Sequence, residues 1–147
     1  MKTVPPNVEL LALAEALESV MPRWVILPQA SRLTSTAWNG AARSTTSDTL
    51  IDMSETFGTP ANIDALLLQV ALRDSGSAAG FPYIRFDSSP ISSTSPIFRI
   101  YAVPNDVLRD QQITVPTNAN GDIYFSCQAT GTNTLDVWVY VIGYHLR

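Results

Sequence analysis

The sequence predicts a mainly β fold: a two-sheet antiparallel β-sandwich, jelly-roll-like, preceded by one short N-terminal α-helix. Three observations predict it. From Arg23 onward, short apolar runs are separated by clusters of Gly, Pro, Ser, Thr and Asn, at the spacing of roughly 8–12 residues that marks sandwiches and barrels. The last two runs alternate along the chain with the two-residue period of a strand. Only residues 1–22 carry a clear three-and-four spacing of apolar residues.

The elements follow in order. Pro5-Pro6-Asn7 is a helix-start signal with Asn7 placed as N-cap. Leu10, Leu13, Leu17 and Val20 form a stripe, Glu9, Glu15 and Glu18 fall off it, and Pro22 ends it. The stripe fits a helix lying on its own domain. It also fits, as the second reading, one docked on a partner or bundled on a symmetry axis. The chain therefore divides into an arm with an amphipathic helix, 1–22, and a sandwich domain, 23–147.

Within the domain, Trp24-Val25-Ile26-Leu27 reads as a strand stopped by Pro28. Thr34–Trp38 is a second, followed by an Asn39-Gly40 turn. Thr49–Met53, Tyr83–Phe86, Ile97–Val103 and Gln112–Val115 follow. In Asp122–Thr130, residues Ile123, Phe125, Cys127 and Ala129 point one way. In Leu135–Tyr144, residues Leu135, Val137, Val139 and Val141 form one face, and Trp138, Tyr140, Ile142 and Tyr144 the other. Pro60–Arg73 satisfies both periods. Ile63, Leu66, Leu67 and Val70 keep helical spacing, whereas Leu66, Leu68, Val70 and Leu72 would line one face of a strand.

Composition narrows the function. The 147 residues suit one domain with a short appendage. Charged residues make up 15% of the chain, below the roughly 25% of an average domain, which leaves little surface repulsion between subunits. Net charge is −4, Lys2 is the only lysine, and no basic stripe is present, so nucleic acid is not an expected partner. Arg in place of Lys suits contacted surface. No apolar run approaches the roughly 20 residues of a membrane span, and no membrane partner is expected. The start lacks a signal-peptide pattern, which predicts synthesis and folding in a cytoplasm.

The search for chemistry finds no catalytic constellation. Cys127 and His145 are the single thiol and the single imidazole, one in an apolar strand and the other at the chain end. That is too few ligands for zinc. Asp48 with Asp52, and Asp106 with Asp110, sit in no recognisable motif. Asn118, Asn120 and Asp122 supply oxygens at alternate positions but also read as a plain turn. No phosphate-binding loop is present. No enzyme activity, cofactor or metal is therefore expected. The aromatic residues Trp38, Trp138, Tyr140 and Tyr144 suit a subunit interface, packing within the chain, or a sugar platform.

The run Thr34-Ser35-Thr36-Ala37-Trp38-Asn39-Gly40-Ala41-Ala42-Arg43-Ser44-Thr45-Thr46 resembles one in small β-sandwich structural proteins of tailed-bacteriophage virions. Leu50-Ile51-Asp52, Phe57-Gly58 with Pro60, Arg73-Asp74-Ser75-Gly76-Ser77, Asn120-Gly121-Asp122-Ile123-Tyr124 and Asp136-Val137-Trp138-Val139 extend the likeness in the same order. The resemblance implies a virion component, either a capsid decoration (cement) protein or a fibre or tail-tip module that binds a host glycan. It implies a strand over 60–73, and it carries over no catalytic residues. The expected partners are copies of the chain, a trimer by analogy, and other virion proteins such as the major capsid protein. The expected interface residues are Leu10, Leu13, Leu17, Trp38, Trp138, Tyr140 and Tyr144.

Overall fold

A computed structural model of the chain describes residues 6–21, 23–76, 79–91, 98–103 and 105–147. Helix α1 (Pro6–Val20) leads into β1 (Arg23–Ile26). Then come β2 (Asn39–Arg43), β3 (Thr46–Ile51), a short helix α2 (Met53–Phe57), β4 (Ile63–Asp74) and β5 (Tyr83–Asp87). Strands β6 (Phe98–Tyr101), β7 (Arg109–Pro116), β8 (Ile123–Gln128) and β9 (Leu135–Leu146) complete the chain. Sheet A runs β1-β9-β4-β7, with β2 also paired to β9; sheet B runs β3-β8-β5-β6. Every pairing is antiparallel. Strands β2 to β9 follow the order of a jelly roll, alternating between the sheets except at the β5–β6 pair, with β1 added at one edge.

The core lies between the sheets. Leu66, Leu68, Val70 and Leu72 of β4 face Val115 of β7 and Leu135, Val137, Val139 and Val141 of β9. Sheet B contributes Ile84, Phe86, Ile100, Ile123, Phe125 and Cys127. The segment 60–73, which satisfied both periods, is a strand. Its partners β7 and β9 cover both edges, and burial of Leu66, Leu68, Val70 and Leu72 outweighs local helix propensity.

Several boundaries differ from expectation. Asn7 falls inside α1 rather than at its cap, and Pro22 and Ile97 lie outside the described residues. Thr34–Trp38 is not a strand: Thr36–Trp38 is a 3-10 turn, and the strand starts at Asn39. Gly40 permits this, because it sits at φ +79° where β2 bulges against β9. The sequence Asp52-Met53-Ser54-Glu55 caps α2, with Asp52 Oδ1 accepting the Glu55 N–H at 2.9 Å. Asp122 Oδ1 accepts the Met53 N–H at 3.0 Å, and Met53 and Phe57 close one end of the core.

Asp74 ties the other end together. It is fully buried and accepts from Gly76 N, Thr130 N and the hydroxyls of Thr130 and Thr134. It thereby joins the end of β4 to the β8–β9 turn. Burial alone would raise its pKa, but the donors outweigh it and hold the carboxyl below the usual range.

Two predictions follow from this packing. A Cβ at Gly40 would stand 2.8 Å from Cε2 of Trp138, and an alanine would have to hold a left-handed backbone. Gly40→Ala is expected to cost about 2 kcal/mol in a urea melt; an unchanged midpoint would show that the bulge is not required. Asp74→Asn is expected to cost about 2 kcal/mol at neutral pH. Because the folded pKa is depressed, the carboxylate's contribution is complete above the unfolded value of about 3.9 and is lost as pH falls through the folded one. The gap between variant and parent should therefore close toward acid, and a gap that persists there would assign the loss to packing instead.

Candidate functional site

The predicted interface residues separate into three groups. The first stays outside. Leu10, Leu13 and Leu17 are 67, 57 and 49% exposed, and the described side chains from Glu9 to Leu17 are all exposed. The helix stripe therefore does not lie on its own sandwich. Met21, Trp24 and Ile26 continue the exposed apolar line into β1.

The second group is inside. Trp38 is 4% exposed and belongs to the chain's own core, which corrects its placement at an interface. Its ring meets Phe125 edge-on with centroids 4.8 Å apart, and the Arg43 guanidinium lies 3.6 Å from its ring centre. Burial lowers the Arg43 pKa, with Cys127 opposing. Burial likewise pushes the Cys127 thiol up, so it stays protonated. Tyr144 also turns inward. Leu68 pairs with Val141 but Leu67 with Gly143, so β9 bulges by one residue. The bulge reverses the alternation, and Tyr144 packs against the core opposite Leu66.

The third group is half-buried on the outer face of sheet A. Trp138 lies against Gly40 and beside Arg73, whose guanidinium is 5.6 Å from its ring centre. Arg73 is held by Asp136 at 2.6 Å and Asp106 at 3.1 Å, which raises its pKa. Tyr140 donates to Asn39 Oδ1 and lines an open polar depression with Arg32, Thr34 and Gln69. Arg32 donates to Gln69, and Gln69 donates to Asp110, both at 2.6 Å. Most polar groups on this face find partners within the chain, while Arg32 Nε is buried with none.

Sheet B presents a different outer face, which the sequence reading missed. Tyr83 pairs with Tyr101 and Arg85 with Arg99, so two arginines stand side by side on adjacent strands. The Arg99 guanidinium stacks 4.5 Å from the Tyr83 ring centre and donates to Tyr101 Oη. Arg85 Nε donates to Ser126 Oγ. Among the described residues neither arginine has a carboxylate partner. The signal was present in the sequence. Tyr83-Ile84-Arg85-Phe86 and Phe98-Arg99-Ile100-Tyr101 mirror each other, and antiparallel pairing puts like on like.

The polar candidates have structural partners. Asn118 Oδ1 accepts from Asn120 N and Asp122 N, which closes the turn before β8. His145 contacts Asp64 at 2.6 Å in sheet A, whereas Cys127 lies in sheet B. No group of three or more potential metal ligands occurs among the described residues. No helix among them is long and apolar enough to cross a membrane.

No protein-family model matches the sequence, and no curated protein matches it significantly. Among solved structures, the chain is similar to a tobacco streak virus coat protein dimer, with a TM-score of 0.48 and 9% identity over 85% of each chain. A second tobacco streak virus coat protein structure has a TM-score of 0.46 and 10% identity, over 99% of this chain and 90% of that one. The PRD1 vertex protein P5 has a TM-score of 0.45 and 12% identity, over 79% of this chain and 94% of that one. At these values the similarity does not extend to a function.

Proposed function

We propose that the chain is a structural subunit of a virus particle, a decoration or cement protein that works by packing against copies of itself and other particle subunits. The observation that carries the reading is α1. It is a fifteen-residue helix whose leucine stripe its own sandwich leaves uncovered. A lone helix of that length is marginal in water, because nucleation is costly and tertiary packing normally stabilises it. Leucines held at that exposure suit a helix that docks elsewhere.

Two further points support the reading. The sequence likeness to tailed-phage structural sandwiches runs over roughly residues 34–144 and includes the buried Trp38–Arg43 unit. Jelly rolls serve both capsid and lectin domains, so the fold alone does not choose between them. The glycan-binding alternative leans on Trp138 and Tyr140, and their own chain already engages both: Gly40 and Arg73 at Trp138, Asn39 at Tyr140. That favours assembly over a sugar platform.

The test is solution mass by light scattering, together with co-sedimentation with undecorated capsids. The parent is expected to be a stable oligomer, a trimer by analogy. Leu13→Glu with Leu17→Glu is expected to lower the mass and abolish capsid binding. Its melting point should not change, because neither residue contributes to the core. A parent that is monomeric and ignores capsids would sink the proposal.

A further inference from the structure

Two surfaces of the described chain stay exposed or without an ion pair, and they complement each other. The first is α1. Its charges are all acidic, namely Glu9, Glu15 and Glu18, with no Lys or Arg from Pro6 to Val20. Glu9 comes just before Leu10 and Glu18 just after Leu17, so the two positions flank the leucine stripe on opposite sides.

The second is the outer face of sheet B at β5 and β6. Like charges directly opposite on neighbouring strands repel, yet Arg85 faces Arg99 with no acid between them. Arg99 Nε is buried and has no hydrogen-bond partner. Asp87 lies on the same strand, but its Oδ1 accepts from the Ser88 N–H at 2.6 Å and it forms no ion pair. Acids are not scarce in this chain, with 13 against 9 Lys and Arg residues; Asp87 and, in the hollow beside Arg85, Asp48 form no ion pair with either arginine. Around the arginines, Tyr101 is 45% and Phe81 79% exposed. Arginine and aromatic residues with apolar surface are the composition of interface hot spots.

We propose that α1 of one copy docks on the Arg85–Arg99 face of a neighbouring copy. The leucine stripe covers Phe81, Tyr83 and Tyr101, and the flanking glutamates meet the two guanidinium groups. The proposal rests on the assembly reading above and adds the partner surface to it. The dimensions agree. A fifteen-residue helix is about 22 Å long and about 10 Å wide, and strands β8, β5 and β6 together span about 10 Å. Each carboxylate brought in relieves the opposed arginines and gains a charge-assisted hydrogen bond. Because the two patches differ, the contact is heterologous: repeated around an axis, it closes into a ring.

The test uses the full chain and light scattering over a concentration series. Arg85→Glu with Arg99→Glu is expected to weaken association roughly tenfold or more, as is Glu9→Arg with Glu18→Arg. Combining the four changes is expected to restore the parent's mass, because each charge pair is then reversed. Should the arginine reversal lower the melting point, Arg85→Gln with Arg99→Gln gives the answer. It should weaken association and flatten the dependence on salt between about 50 and 500 mM. A second arm uses disulfide trapping in a Cys127→Ser background. Leu13→Cys with Tyr101→Cys is expected to link different copies, and Leu13→Cys alone is not. Unchanged association in both arginine variants, or no recovery in the fourfold variant, would overturn the docking site while leaving the assembly reading intact. A Leu13→Cys self-link would place helix on helix and overturn it equally. A monomeric parent would overturn the docking site, and one that also ignores capsids would remove the assembly reading with it.

Discussion

The ladder between β4 and β9 is the constraint from which the rest follows. Each strand is twelve residues long, and together they bring nine fully or almost fully buried aliphatic side chains to the core. Strands this apolar are poor edge strands, because an exposed, flat, greasy edge recruits other chains. Both therefore have company on their far sides: β7 beside β4, and β1 and β2 beside β9. Once these partners are fixed, sheet B has to close over the exposed apolar face, and the connections trace a jelly roll. The one-residue bulge in β9 then decides where its last side chains point. It turns Tyr144 into the core and leaves His145 outside, beside Trp24 and Asp64.

Much of this was legible in the sequence, and the misses have physical causes. The alternation in β8 and β9 identified their inner faces because a half-buried strand repeats every two residues. It did not reveal the bulge, because a bulge depends on the partner's register; its one mark was Gly143 inside the apolar run. The 60–73 segment was ambiguous because a continuous apolar run satisfies both periods at once. Its partners settle it, and they lie between 37 and 83 residues away in sequence. Trp38 sits among Thr, Ala, Asn and Gly with no periodic neighbours, so its burial was invisible. The available hint was Arg43, five positions on, which covers the ring. Helix α2 is five residues long and shows little but its caps.

The two outer faces manage charge in opposite ways. On sheet A, Arg73 has two carboxylates, Arg32 reaches Asp110 through Gln69, and Trp138 rests on Gly40. Each polar group there lowers the demand for an outside partner. On sheet B the mirrored strands place Arg beside Arg and Tyr beside Tyr. Such a pairing gains aromatic contact but costs charge repulsion, and among the described residues the two arginines have ring and hydroxyl contacts but no ion pair. The docking proposal rests on this asymmetry between the sheets, independently of any likeness to other proteins.

On the assembly reading, the arm also sets when assembly happens. A short helix with an uncovered stripe is only marginally folded by itself, so docking must supply the remaining order and bears its entropy cost. A single contact is accordingly weak, and subunits with a net charge of −4 repel one another mildly. A ring or shell changes the balance, because each subunit then makes its contact at high effective concentration and modest contacts add through avidity. Complementary charge at the contact fixes the register, since a glutamate that misses its arginine is left desolvated and unpaired. Weak single contacts with a strict register let a subunit remain free at low concentration and still join a regular array, and on this reading the leucine stripe with its flanking glutamates and the arginine pair together supply both properties.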